Sequence, residues 1–263
     1  MKTNQEQKKA KPIAGGQGPA QTGSYQAEPD GPETKGFETK GPKTKEFASG
    51  QNGKAQTTKT QSGGAAPALG FGDYTLASQG VFRLALSAMA SPTKRFYFDF
   101  KSLIKSQPPI PIGIAALALT LADHLTPLWL SPSLAQAEGF LVFHSSAPIV
   151  REPEKADFVL AANLGEMPNL GDLNQGDPRY PDRAATVILG GAFEKDDPGV
   201  GLTAFGPGLE GETEFENHGL SRDFVGQWAL NRACYPLGVD VFLAGGDCLA
   251  ALPRSLTLRL KPS

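Results

Sequence analysis

Apolar side chains at Phe82, Ala85, Leu86 and Met89 recur at the three-and-four spacing of one helical face, and Ser91-Pro92 closes the pattern, because a proline ring crowds the helical conformation of the residue before it. The spacing predicts a half-buried helix, with order beginning near Gly80. Arg95 to Phe100 reads as a strand. Pro111 to Asp123 opens with a proline, favourable at a first helical position, and stays apolar on nearly every face, so it predicts a helix buried on several sides. Leu128-Trp-Leu130 and Phe140-Leu-Val-Phe143 are short apolar runs of the kind buried strands show, and Asp157 to Ala161 and Ala184 to Leu189 are similar. Val200 to Phe205 alternates less clearly. Gly165 to Arg183, thick with Gly, Pro, Asn and Asp, reads as a loop. Ser221 can cap a helix whose buried face carries Phe224, Val225 and Trp228 and which Tyr235-Pro236 stops. Val239 to Ala244 and Cys248 to Leu252 flank Gly245-Gly246, a type I′ signal for a terminal hairpin. The expected fold class is α/β, a mixed β-sheet flanked by helices.

Composition changes this picture at one end. Of the 263 residues, 1–66 contain no Leu and no Val but eleven Gly, five Pro and ten Lys against six acids. Three pentapeptides, Gly31-Pro-Glu-Thr-Lys35, Gly36-Phe-Glu-Thr-Lys40 and Gly41-Pro-Lys-Thr-Lys45, repeat in tandem there, a period too short for a solenoid unit. So little apolar surface cannot offset chain entropy, and a disordered low-complexity tail over 1–66 is expected, with a single α/β domain over 67–263.

The remaining segment holds 15 basic and 21 acidic residues, and this acid excess gives no basic stripe for a nucleic acid. The longest apolar stretch, Ile112 to Ala122, is too short for a membrane span, and Lys8, Lys9 and Lys11 lead into Gly and Gln rather than an apolar leader core. A cytoplasmic protein is expected, with no membrane partner. Cys234 and Cys248 form no Cys-x-x-Cys, so buried small hydrophobes are expected rather than a disulfide or metal site.

Short motifs add little. Gly206-Pro-Gly208-Leu-Glu-Gly211 matches G-x-G-x-x-G after a strand, but Glu210, Glu212, Glu214 and Glu216 would repel a pyrophosphate, so it reads as a turn. No G-x-x-x-x-G-K-[ST] is present. Ser91-Pro-Thr-Lys94 and Ser102-Leu-Ile-Lys105 satisfy S-x-x-K without its companion motifs and read as surface polar residues.

Among the histidines, His218 stands in a polar loop. Asp123 and His124 terminate the buried helix, where a carboxylate meets the negative end of the dipole; an Asx-type turn into Thr126-Pro127 is the plainer reading. His144 follows the run ending at Phe143 and would lie at a strand's carboxyl end, the edge where open α/β sheets gather their sites. A hydrogen-bonded loop histidine is the plainer alternative. Asp240, an acid inside a strand, needs a partner, and Arg254 is the nearest candidate. A two-residue Gly245-Gly246 loop would set Asp240 opposite Ala251 and send Arg254 to the other face, whereas a three-residue loop with Asp247 would bring Arg254 diagonal to Asp240. A structural ion pair is the favoured reading.

Several phrases, taken in order, resemble one family: Phe82-Arg83 with Met89-Ala-Ser-Pro92; Leu119-Thr-Leu-Ala-Asp123 with Thr126-Pro-Leu-Trp-Leu130; Phe143-His-Ser-Ser-Ala-Pro148; Ala185-Thr-Val-Ile-Leu189; Gly206-Pro-Gly208; and Tyr235-Pro-Leu-Gly-Val-Asp240 with the hairpin to Pro253-Arg254. Over roughly Gly80 to Leu260 they are similar to the PhnH subunits of the bacterial carbon-phosphorus lyase system. One departure is Thr93, where the family usually has Gly; Thr resists positive φ, so that turn is expected to differ.

The resemblance implies a homodimeric subunit that joins the PhnG, PhnI and PhnJ chains in a core complex, which makes ribose 1-phosphonate 5-triphosphate by replacing the adenine of ATP with a phosphonate. It also implies a fold like the large domain of pyridoxal-phosphate-dependent transferases, without the cofactor. Six lysines follow the tail, Lys94, Lys101, Lys105, Lys155, Lys195 and Lys261, and none stands beside the aromatic and acidic partners a Schiff-base site needs, so no cofactor and no metal is expected. The resemblance assigns no catalytic residue. Three expectations follow: an architectural subunit; a contributor of acid, base or phosphonate-positioning groups, with Asp123, His144 and Arg254 as candidates; and a non-catalytic small-ligand binding module. Because the tail lacks core-forming residues, deletion of 1–66 is expected to leave the melting temperature almost unchanged in a thermal melt; a large drop would show that the tail packs.

Overall fold

The computed structural model describes residues 70–191, 193, 199–215 and 219–261. The expected tail over 1–66 and His218 lie outside them. Two sheets and five α-helices of four or more residues organise what is described. The larger sheet runs β1-β8-β7-β4-β3-β2, from β1 (Phe96–Tyr97), β2 (Leu128–Leu130), β3 (Phe158–Ala161), β4 (Thr186–Leu189), β7 (Asp240–Ala244) and β8 (Cys248–Leu252). Strands β2, β3, β4 and β7 are parallel, β8 adds antiparallel to β7, and β1 adds antiparallel to β8. The mixed sheet is thus as expected. A second sheet, β6-β5-β9, is antiparallel and joins β5 (Leu202–Phe205) to β6 (Thr213–Phe215) and β9 (Thr257–Leu260), the last two not foreseen from the sequence.

Strand alternation sorts the core into two layers. Leu160, Ile188, Phe242, Leu249 and Ala251 point to one face, where α1 (Tyr74–Ala90), α3 (Ile112–Leu121) and α4 (Glu138–Ser145) cover them. Val159, Val187, Val241, Ala250 and Leu252 point to the other, against α5 (Arg222–Ala233) and the small sheet. Successive residues buried on opposite faces explain why β3, β4, β7 and β8 read as continuous apolar runs. On the second face, Ser221 caps α5 by accepting from Phe224 N at 3.2 Å, and the buried Trp228 indole donates to Leu256 O at 2.8 Å.

Helix α3 lies deepest: Gly113 through Leu119 are all buried. Its first turn comes so close to the hairpin of β7 and β8 that a Cβ on Gly113 would stand 2.3 Å from Gly245 O, while a Cβ on Gly190, just past β4, would meet Ile114 Cδ1 at 2.8 Å. These two glycines set the helix-to-sheet distance.

Four expectations are corrected. Phe140 to Phe143 is not a strand: Leu134, Ala137, Phe140 and Leu141 are buried at helical spacing while Val142 and Phe143 face out, so the run forms part of α4. Helix α1 begins before Gly80, at Tyr74, with the Asp73 side chain accepting from Leu76 N at 3.1 Å. Its buried face is Ala77, Val81, Leu84, Ala85 and Ala88, mostly small residues that let it lie close to α3, whereas Phe82 and Leu86 are about half exposed, at 47% and 54%. The strand expected over Arg95 to Phe100 stops at Tyr97, because Asp99 caps the short α2 (Phe100–Leu103) by accepting from Ser102 N. The hairpin is not closed by a Gly245-Gly246 type I′ turn. Ala244 pairs with Leu249 and Gly245 N donates to Cys248 O at 2.8 Å, leaving Gly246-Asp247 at the tip, and neither glycine has a positive φ.

Two of the positions with φ > 0 bear on the sequence reading. Gly208 takes φ 86° where a Cβ would approach Ala90 O to 2.6 Å, so the G-x-G-x-x-G segment is a turn packed on the end of α1, as expected. Thr93 takes φ 75° despite its β-branch, a conformation that Thr was expected to resist, and the strain is borne by a nearly buried threonine. Thr93→Gly is therefore expected to stabilise the chain by about 1 kcal/mol, a rise of roughly 2–4 °C in Tm, and Gly113→Ala to destabilise it by about 2–3 kcal/mol, both read in thermal melts.

Candidate functional site

The three residues singled out from the sequence all lie toward the amino ends of the parallel strands, each in its own turn. Asp123 follows α3. Its carboxylate accepts from Thr126 Oγ1 at 2.7 Å and Leu125 N at 2.9 Å, and these bonds, the Thr126 hydroxyl first, hold the carboxyl below the usual carboxylate range. This is the Asx-type turn expected on plainer grounds. An exposed carboxylate held more acidic than usual is a poor general base at neutral pH.

His144 occupies the last turn of α4, not the carboxyl end of a strand, which corrects the placement inferred from the sequence. Its ring meets Phe140 and Phe143 edge-on at 4.8 and 4.9 Å, and it lies so close to Gly70 that a Cβ there would stand 2.9 Å from Nδ1. Ser146, at φ 59°, ends the helix, and the chain crosses to the start of β2, where Leu128 N donates to Pro148 O.

Arg254 follows β8 and is paired with Asp240 at the start of β7. Its backbone N–H donates to Asp240 Oδ1 at 2.6 Å, Nε donates to Oδ2 at 3.0 Å, and a terminal nitrogen donates to Pro181 O at 2.6 Å. The ladder ends with Val241 opposite Leu252, a register that neither loop length considered for the hairpin predicts; the turn at Pro253 brings Arg254 back across the strand end. Two guanidinium nitrogens on Oδ2 and the backbone N–H on Oδ1, with side chains only 14% and 21% exposed, make this a structural ion pair tying β7, β8 and the Pro181 turn together. Ser102 is likewise locally engaged, its hydroxyl donating to Asp99 O at 2.9 Å rather than serving as a nucleophile. Cys234 is exposed, while burial pushes the Cys248 thiol up to about 11, well out of the range of a reactive thiolate.

The carboxyl ends of the strands present a different surface. A cleft of about 800 Å³ opens there, bounded by Ser133 and Leu134 beyond β2, Ala162 beyond β3, Pro111 and Ile112 at the start of α3, and the segment from Lys101 to Ile110. Gln136 Nε2 donates to Pro109 O at 3.4 Å across it, and at the edge Ser133 N donates to the Glu166 carboxylate at 3.0 Å. Sequence reasoning missed this site. Its signal was the run Pro108-Pro-Ile-Pro111 directly before a helix with no polar capping residue, which predicts an open helix start.

Fold and site together define an α/β protein whose conspicuous acid and cation hold its turns and whose cleft of about 800 Å³ lies at the carboxyl edge of a parallel sheet. The chain belongs to the PhnH family: the model for "Bacterial phosphonate metabolism protein (PhnH)" matches residues 69–259. It is 31% identical over 192 residues, 72% of this chain and 93% of the relative, to the alpha-D-ribose 1-methylphosphonate 5-triphosphate synthase subunit PhnH of Rhizobium meliloti. It is 34% identical over 111 residues, 41% of this chain and 53% of the relative, to the putative C-P lyase subunit protein HtxG of Stutzerimonas stutzeri.

Because Arg254→Ala would leave the Asp240 carboxylate desolvated and unpaired, it is expected to destabilise the protein by about 2–3 kcal/mol in denaturant titration.

Proposed function

We propose that this chain is a subunit of a carbon-phosphorus lyase core complex, required for making ribose 1-phosphonate 5-triphosphate from ATP and an alkylphosphonate, and that its part is architectural. The observation that carries this reading is the family match over 69–259, joined to a relative that is itself named as a synthase subunit. The site geometry supports it: Asp123 and Arg254 are engaged in their own turns, and no three His, Cys, Asp or Glu side chains among the described residues cluster as metal ligands would. No described helix is long and apolar enough to cross a membrane, which fits a subunit working in the cytoplasm.

The same proposal includes a homodimer and the PhnG, PhnI and PhnJ chains as partners. Two helix faces suit them. Phe82 and Leu86 stand one turn apart on the outer side of α1, and Val142 and Phe143 on the outer side of α4, with Phe143 65% exposed. Apolar groups left in water on a helix surface are what an assembly buries.

Likeness to the large domain of pyridoxal-phosphate-dependent transferases, without their cofactor, also belongs to the proposal and is supported by the mostly parallel mixed sheet between helices. The described lysines do not fit a Schiff base to that cofactor: Lys94, Lys101, Lys105, Lys155 and Lys261 are all exposed, and Lys155 and Lys261 pair with Glu152 and Glu214.

The test is to purify the chain together with its neighbouring subunits and to assay adenine release from ATP and methylphosphonate. Asp123→Asn and His144→Ala are expected to leave turnover intact in the assembled complex; loss of turnover with assembly preserved would overturn the architectural role. Charged substitutions of the outer faces, Phe82→Glu with Leu86→Glu or Val142→Glu with Phe143→Glu, are expected to keep the melting temperature while at least one pair loses partners in co-purification.

A further inference from the structure

The cleft at the carboxyl ends of β2 and β3 is the open end of a slot whose other end the chain already fills. Phe71 pairs antiparallel with Ile104, where Gly72 N donates to Leu103 O at 2.9 Å and Lys105 N donates to Gly70 O at 3.1 Å. Gly70 is buried against the end of α4, where a Cβ would stand 2.9 Å from His144 Nδ1. Residues 70–72 thus lie between the Leu103–Lys105 stretch and α4, with the Phe71 ring packed on the core that α1, α3 and α4 share. Continuations of the same two walls bound the cleft: Ile104 to Ile110 on one side, and Leu134 and Gln136, which lead into α4, on the other. Gln136 Nε2, donating to Pro109 O, joins the two walls.

Antiparallel pairing sets a direction. A chain that continued it before Gly70 would run beside the residues after Lys105, and Ser106, Gln107 and Pro108 line the cleft. Carried forward, the Phe71–Ile104 register sets Leu69 beside Ser106, Ala68 beside Gln107 and Pro67 beside Pro108. Gly70 and Lys105 form a hydrogen-bonded pair, so Pro67 and Pro108 fall at a non-hydrogen-bonded one, where a missing N–H takes nothing from the ladder. Strand alternation puts Leu69 on the side of Phe71, the side of the core. The preceding sequence offers no rival, because Ala48 to Ala68 contains no Leu, Ile, Val, Met or aromatic residue.

We infer that the cleft is the seat of this chain's own Pro67-Ala68-Leu69, which extends the pairing past Gly70 and lodges Leu69 against Ile104, Ile110 and Leu134. An occupant joined covalently at the mouth of the cleft binds at a high effective concentration and so needs few contacts of its own. Leu69, where the family match begins, becomes the first core residue of the domain. The inference goes beyond the subunit reading, and it is tested on the chain alone, so that its failure leaves that reading untouched.

Amide hydrogen exchange of the full-length chain, resolved by residue, tests it. The Ala68 and Gln107 amides, which face each other in this register, are expected to exchange about tenfold or more below their unfolded-chain rates, while those of Ala48 to Gln61 exchange close to theirs. Leu69→Asp is expected to release both amides and leave those of α5 protected, and Leu69→Met, which keeps the apolar contact, to retain the protection. Fast exchange at Ala68 in the unaltered chain overturns the inference whether or not the variants fold, and so does protection that Leu69→Asp leaves unchanged. Protection that grows with protein concentration would place the segment in the cleft of a second copy, and protection of Gln107 without Ala68 would give the cleft another occupant; either result also overturns it.

Discussion

The close approach of α3 to the end of the parallel sheet is the constraint on which the other features depend. A helix apolar all round must be enclosed, and α3 is enclosed by lying across β4 and β7 with α1 and α4 beside it. Gly113 against Gly245 and Ile114 against Gly190 allow that depth, since a Cβ at either glycine would collide with its neighbour. Hydrophobic burial supplies the drive and backbone-to-backbone contact sets the limit. The helix axis and its start are thereby fixed relative to the strand ends, and the open first turn falls where the cleft forms.

That arrangement gives the sheet two unlike ends. At the amino ends, polar groups are consumed locally: the Asp123 turn, the Arg254–Asp240 pair and the crossing from α4 to β2 all tie chain reversals together. At the carboxyl ends, donors and ammonium groups line a cavity without acidic partners. Net charge describes neither end. An acid excess argues against a broad anion-attracting field, yet a cleft with its own cations and oriented N–H groups acts over a few ångströms, where the distant acids are screened. The exposed apolar side chains on the outer faces of α1 and α4 and the cleft at the strand ends are different surfaces of the protein.

Elements with one dominant signal were legible from the sequence: the buried α3, the capped α5, and the continuous apolar strands β3, β4, β7 and β8. Failures came where two signals compete. Phe140 to Phe143 is too short for periodicity to separate strand from buried helix, and only the upstream Leu134 and Ala137, buried on the same side, show the helical period. On α1 the larger side chains Phe82 and Leu86 suggested the core, but the buried face is the one carrying Ala77, Val81, Leu84, Ala85 and Ala88, where mostly small side chains pack against α3. Gly245-Gly246 looked like turn chemistry, whereas Gly245 serves a close approach. Thr93 shows the same priority, with packing holding a β-branched residue at φ 75°.

From sequence alone come the α/β class, the order of the principal strands and helices, the family resemblance and the absence of a P-loop motif, all set by periodicity, composition and local stereochemistry. Tertiary structure alone decided which side of α1 is covered, the register that returns Arg254 to Asp240, and the meeting of Lys101, Lys105 and the start of α3 around one cavity. The physical reason is common to all three: each depends on the distance between segments far apart in the chain, and that distance is fixed by how closely glycine and alanine let backbones pack, which no local pattern encodes.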